Sequence, residues 1–211
     1  MTTVRQAYLD AAGAALTLLG DPAVEARWDE PSALEAFTVG GLAGHLAGQV
    51  LAVPGVLATL VPEEPPAALL DHYTRAPWIG TGVDAETNVA IRAGGDANAA
   101  DGPAVLVERT AAALATLRAA LSAEPADRVV HLAGRWSLTL DDYLTTRLLE
   151  IAVHDDDLAV SVGVDTPDLP DAALNPVFAL LTTLSARKHG APAVLRALAR
   201  AERAPSDVTA I

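Results

Sequence analysis

The sequence predicts an all-α fold, and three observations carry that expectation. Ala and Leu dominate a chain that is 51% apolar but only 4% aromatic, which suits small-residue helix packing better than a β-sandwich. Four long segments repeat apolar residues every three or four positions, the period of a helix with one buried face. The ends of those segments carry capping or breaking residues. A length of 211 residues allows one sizeable core, or a domain with a small appendage.

The first helix is expected over 3–19, where Val4, Tyr8, Ala12, Ala15, Leu16 and Leu19 share a face and Gly20-Asp21-Pro22 stops it. Residues 21–37, with Trp28, two prolines and Phe37, read as a connector. Thr38 is placed to cap a second long helix marked by Val39, Leu42, Leu46, Val50, Val53 and Leu57. Gly40, Gly41, Gly44 and Gly48 weaken that helix by about 1 kcal/mol each against Ala. Their expected use is close approach by a neighbour or ligand, and Pro54 is expected to kink or end the helix.

The Pro-rich run 61–80 reads as a loop holding His72, Tyr73 and Trp78, with a pocket mouth as the alternative. A short helix is expected over 84–93, then a flexible break at AGGDANAADGP. Pro103 suits the first turn of a third long helix, roughly 102–122. A polar connector, 123–137, contains His131 and Trp136, and Ser137 or Thr139 caps the fourth helix. Asp141 and Asp142 suit the dipole at its start, and its end is expected near Gly163. Two further helices are expected over 171–188 and 191–201, with His189 at the surface or against a helix C-terminus.

The net charge is −13, from 14 basic and 27 acidic residues, so no unassisted grip on nucleic acid or on an anionic membrane is expected. No apolar run is read as approaching the roughly 20 residues that span a bilayer. MTTVRQAYLDAA lacks a signal-peptide pattern, so the expected compartment is the cytoplasm. There is no cysteine, which excludes disulfides, thiolate metal sites and a protein thiol nucleophile. Thiol chemistry here needs a thiol brought by a cosubstrate. No internal repeat, phosphate loop, dinucleotide fingerprint or nucleophile elbow is present.

Candidate chemistry gathers in the fourth helix, at YLTTRLLEIAVHDDDLAVS (143–161). Tyr143, Arg147, Glu150, His154, Asp157 and Ser161 recur at spacings of three and four and form one narrow polar stripe. Leu144, Ile151 and Leu158 flank it on one side, and Leu149, Val153 and Val160 on the other. A fenced stripe is expected to face the interior, leaving Asp155 and Asp156, in a second polar sector with Thr145, to face water. Glu150 and His154 lie one turn apart, the spacing at which two side chains of one helix hold one metal ion. Composition alone yields roughly half such a pair by chance, and a solvated Arg–Glu–His–Asp surface chain is the alternative. A third ligand has to come from another helix. His45, on the second helix, reads either as that ligand or as a hydrogen-bonded core histidine.

Two segments together resemble a known family. FTVGGLAGHL (37–46) and RLLEIAVHDDDLA (147–159) are similar to motifs of the DinB/YfiT-like superfamily, in its mycothiol-dependent maleylpyruvate isomerase branch. The tail ARKHGAPAVLRALARAERAP (186–205) is similar to that of many actinobacterial members. Phe37 stands where a Trp is common, and Gly41 where an acidic residue is common. The resemblance implies an up-and-down four-helix bundle over 1–165 with a short helical extension over 166–211. It implies one divalent metal, usually zinc, held by His45, Glu150 and His154, and mycothiol as cosubstrate. The chain is expected to be too short for the full C-terminal domain of the isomerase itself.

Two imidazoles and a carboxylate leave an open position on the metal, the pattern of a catalytic site. The expected function is therefore a metal-dependent, mycothiol-using S-transferase or thiol-assisted isomerase acting on a small electrophile. The expected state is a monomer or homodimer. Asp157 is expected to accept a hydrogen bond from an adjacent ligand or to anchor Arg147. Arg147 is expected to meet a carboxylate or to neutralise Glu150. The alternatives are a non-catalytic metal or small-molecule binding bundle, and a metal-dependent hydrolase.

Overall fold

Four long helices enclose the core of the computed structural model, which describes residues 1–132 and 136–211. In chain order the elements are α1 (Thr3–Leu19), α2 (Pro22–Ala26), α3 (Val39–Leu51), α4 (Val53–Leu57), α5 (Leu69–Arg75), α6 (Glu86–Ala99) and α7 (Pro103–Ala123). They continue with β1 (Val129–His131), β2 (Ser137–Thr139), α8 (Leu140–Val162), α9 (Asp171–His189) and α10 (Ala191–Ala199), and a single 3-10 turn closes the series. Helices α1 and α3 each pack against both α7 and α8. This is the expected all-α bundle. Its core is largely leucine: Leu42, Leu46, Leu117, Leu144 and Leu148 are fully buried.

The ends follow the residues that mark them. Thr38 accepts the Gly41 N–H at 3.0 Å to start α3, and Thr139 accepts the Asp142 N–H at 3.0 Å to start α8. Gly163 closes α8 in the left-handed region, φ 72°, where a side chain would be strained. Helix α3 stops at Leu51, and the chain turns into α4 around Pro54. Arg5, 1% exposed, ties two helix ends together. Its Nε is 2.9 Å from Asp141 of α8, and its Nη atoms donate to the carbonyls of Leu121, Glu124 and Pro125 at the end of α7.

Several segments differ from expectation. The break expected at 93–103 is helical as far as Ala99, because α6 runs through both of its glycines. There α6 lies against α3 so closely that a Cβ on Gly44 would overlap the Gly95 carbonyl. Contact of that closeness offsets the poor helix propensity of glycine. The run 61–80 contains α5, on which His72 and Tyr73 are buried. The connector 21–37 contains α2 and an isolated bridge between Pro31 and Thr38. Within 123–137, β1 pairs antiparallel with β2, Val130 opposite Leu138, and residues 133–135 lie outside the described residues.

The stretch Val39–Leu57 reaches 19 residues with a mean hydropathy of 1.3, so one apolar run does approach spanning length. Most of it is buried in the bundle, against α1, α6, α7 and α8. Helix α9 lays Ala173, Val177, Leu180 and Leu184 against α1 and α8. Together these neighbours leave α8 no continuous solvent face. Asp155, expected to face water, is 0% exposed, and Thr145 is buried beside the same core. Asp156 is exposed and accepts a hydrogen bond from Thr166 at 2.6 Å.

Candidate metal centre

Helix α3 delivers His45 one turn after Leu42 and one turn before Gln49, and α8 delivers Glu150 and His154 one turn apart. Gly95 of α6 supports the α3 backbone at this point, since a Cβ there would lie 3.3 Å from the His45 Cβ. The chain thus brings together two residues adjacent along one helix and a third from more than a hundred residues away. One ligand atom from each of the three lies within 4.8 Å of the others. His45 Nε2 is 3.5 Å and His154 Nε2 is 3.4 Å from Glu150 Oε2. The imidazole rings meet edge to face at 4.7 Å. Ligand atoms about 2.0–2.1 Å from a tetrahedral ion are roughly 3.3 Å apart, so the residues present fit a metal of that size. The three side chains are 15–16% exposed, half-buried but open to a ligand.

The polar stripe is fenced unevenly. Leu144, Ile151 and Leu158 are buried on one side, whereas on the other Leu149 is buried, Val153 is half-buried and Val160 is 61% exposed. That open flank gives access. Asp157 accepts a hydrogen bond from His154 Nδ1 at 2.9 Å, turning Nε2 toward Glu150. Arg147, one turn before Glu150, makes no hydrogen bond to the three-residue cluster. Its Nη1 donates to Gln49 Oε1 at 2.5 Å and its Nε to Thr146 at 3.1 Å. Its guanidinium lies 5.3 Å from the Tyr143 ring centroid.

Ionisation follows this geometry. Burial opposes the charge on Glu150, but hydrogen bonds from His154 and His45 and the Arg147 charge outweigh it and hold the acid well below the usual carboxylate range. Burial also opposes charge on His154. Hydrogen bonds to Asp157 and Glu150, with their charges, win and raise it to about 9. Without a metal, an imidazolium sits between two carboxylates.

One group escaped the reading of the sequence. Gln49, 3% exposed, donates to the His45 carbonyl at 3.0 Å while holding Arg147. Its spacing of four from His45 was the available signal. Tyr73, read as part of a loop or a pocket mouth, lies on α5 with its hydroxyl buried, and burial raises its phenol above the ordinary value. The other histidines lie elsewhere. Trp136 donates to His72 Nδ1 at 3.2 Å, and His189 Nε2 lies 2.9 Å from the Thr209 carbonyl. His131 Nδ1 faces both Glu64 and Ser137, an arrangement in which one nitrogen meets both groups, unlike a nucleophilic triad.

Comparison with known proteins finds one family. The mycothiol maleylpyruvate isomerase N-terminal domain matches residues 9–159, a span that contains every residue of the cluster. No curated protein and no solved structure matches significantly. The chain therefore belongs to the mycothiol maleylpyruvate isomerase N-terminal domain family, within the DinB-like superfamily.

Proposed function

We propose that this chain is a metal-dependent enzyme that joins a low-molecular-weight thiol, mycothiol, to an electrophilic carbon of a small substrate, as an S-transferase or a thiol-assisted isomerase. The observation that carries the reading is the convergence of His45, Glu150 and His154 within 4.8 Å. Two imidazole nitrogens and one carboxylate oxygen suit zinc and leave room for a further ligand. A divalent ion held there supplies positive charge that favours the thiolate over the thiol. Asp157 keeps the His154 ring oriented through Nδ1. Gln49 joins the His45 backbone to the Arg147 side chain, and Arg147 holds positive charge beside the carboxylate. The absence of cysteine means that no protein thiol competes with the cosubstrate. In the same reading residues 1–165 carry the site and 166–211 act as an extension covering α1 and α8.

The test is to purify the protein, quantify bound metal, and follow mycothiol conjugation to monochlorobimane with and without chelator. Metal-dependent conjugation above the uncatalysed rate is the expected result. Tight metal without turnover would make the chain a binding bundle. Hydrolysis of an activated ester without thiol would make it a hydrolase.

A further inference from the structure

Gln49 is 3% exposed, and its side-chain amide sits against the His45–Glu150–His154 cluster. The orientation of that amide is fixed twice. Oε1 accepts from Arg147 Nη1 at 2.5 Å, and Nε2 donates to the His45 carbonyl at 3.0 Å. Turning the amide over would set oxygen against carbonyl and NH2 against guanidinium, so both contacts would become repulsive. The nitrogen therefore faces the cluster. It lies 3.5 Å from His45 Nε2, the same atom that is 3.5 Å from Glu150 Oε2. One of its two N–H bonds is spent on the His45 carbonyl. The second has this imidazole nitrogen as its one neighbouring acceptor among the described residues.

Two uses of that imidazole nitrogen exclude each other. A lone pair given to a metal ion cannot also accept from an amide. An ion in the cluster thus leaves one buried Gln49 N–H without an acceptor, which is costly. We infer that this N–H is given to the ligand that enters the open position beside His45, and that Arg147 sets its direction. A donor fixed there favours an anion over its neutral conjugate acid, because hydrogen bonds to ionised acceptors are the stronger ones. Little has to reorganise when the ligand arrives, since Arg147 is itself held by Thr146 at 3.1 Å and lies over the Tyr143 ring. Gln49 is thereby a donor to the ligand, and Arg147 is a positioning residue that acts through it. The inference deepens the proposed function: it rests on the cluster holding a metal, and not on the ligand being a thiol.

The test needs no turnover. The full chain is loaded with cobalt(II), whose visible spectrum changes with its ligands, and titrated with azide, an anion that is no thiol. Gln49→Met keeps the length of the side chain and the Arg147 charge but removes the donor. Its azide affinity is expected to fall about tenfold, while its cobalt affinity is retained. Equal azide affinity in variant and wild type would overturn the donor. Failure of the wild type to bind cobalt would end both the metal reading and the donor.

Two Arg147 variants test the positioning role, and they stand in if Gln49→Met does not fold. Arg147→Met frees the amide to turn Oε1 inward. A changed cobalt spectrum before azide is added, and a similar loss of azide affinity, are expected. Arg147→Lys keeps a donor for Oε1 and is expected to restore both. A wild-type spectrum and azide affinity in Arg147→Met would overturn the fixed direction of the N–H. Adding 2-mercaptoethanol to the cobalt protein separates the donor from the thiol reading. A sulfur-to-cobalt absorption band, weaker in Gln49→Met, is expected. No such band, with azide binding still dependent on Gln49, would sink the thiol reading while the donor stands.

Discussion

Asp155 stands on the core stripe of α8, one turn from Ile151 and one from Ala159, both fully buried. Neither of its carboxylate oxygens has a partner among the described residues. Burial pushes the acid from 3.8 up to about 7, and the nearby His154 charge pulls it back only in part. The folded chain keeps this proton to about 7 while the unfolded chain releases it near 3.8. Between those values the unfolded state binds fewer protons, so stability falls as pH rises through the window and levels off above it. A shift of that size corresponds to roughly 4 kcal/mol. Asp155→Asn is therefore expected to match the wild type in urea unfolding at pH 4 and to exceed it at pH 8 by up to that amount; equal stability at pH 8 would refute the buried, unpaired acid. Asp157 acts on His154 instead, through a 2.9 Å hydrogen bond. Asp157→Asn should weaken metal binding about 10–100-fold, read by competition with a chromophoric chelator, and unchanged affinity would remove Asp157 from the site. The charges of the three consecutive acids 155–157 look equivalent along the chain. Their roles diverge because successive residues on a helix point about 100° apart.

Helix α6 shows how an element escapes a sequence reading. Its AGGDANA segment has two adjacent glycines and little apolar surface, and by propensity it is a break. It is helical because the glycines let its backbone touch α3, with the Gly95 carbonyl lying where a Gly44 side chain would begin. Gly44→Ala tests this contact. In an ordinary helix the change gains about 1 kcal/mol. Here the obstacle is a backbone oxygen that cannot swing aside, and overpacking costs about 1–3 kcal/mol. A net loss of stability, with weaker metal binding through displaced His45, is the expected outcome; a net gain would show that α6 is free to move away. Helices α3 and α8 were legible for the opposite reason. Their caps, apolar stripes and stop signals are local, and Thr38, Thr139 and Gly163 act within a few residues of themselves.

At the scale of the whole molecule, an ion held by His45, Glu150 and His154 would cross-link α3 to α8, two helices that already pack together. Removing it should therefore lower global stability. With free zinc 100-fold above its Kd, linkage supplies about 2.7 kcal/mol, which for a chain of this size is a melting-temperature difference of roughly 5–10 °C. Calorimetry with and without chelator measures it, and an identical melting temperature would count against the centre. Metal binding should also release a proton, because His154 without metal keeps its proton up to about 9. The apparent affinity is then expected to rise about tenfold per pH unit from pH 6 to 8, and a flat profile would contradict the ionisation described for His154. By itself the sequence determined the long helices α1, α7 and α8 with their ends, and the one-turn spacing of Glu150 and His154, since these depend on contacts no more than a few residues apart. Only the tertiary structure decided that His45 meets that pair, that Asp155 is buried, and that Gln49 holds Arg147. Those relations arise from packing between helices, where distance along the chain carries no information about distance in space.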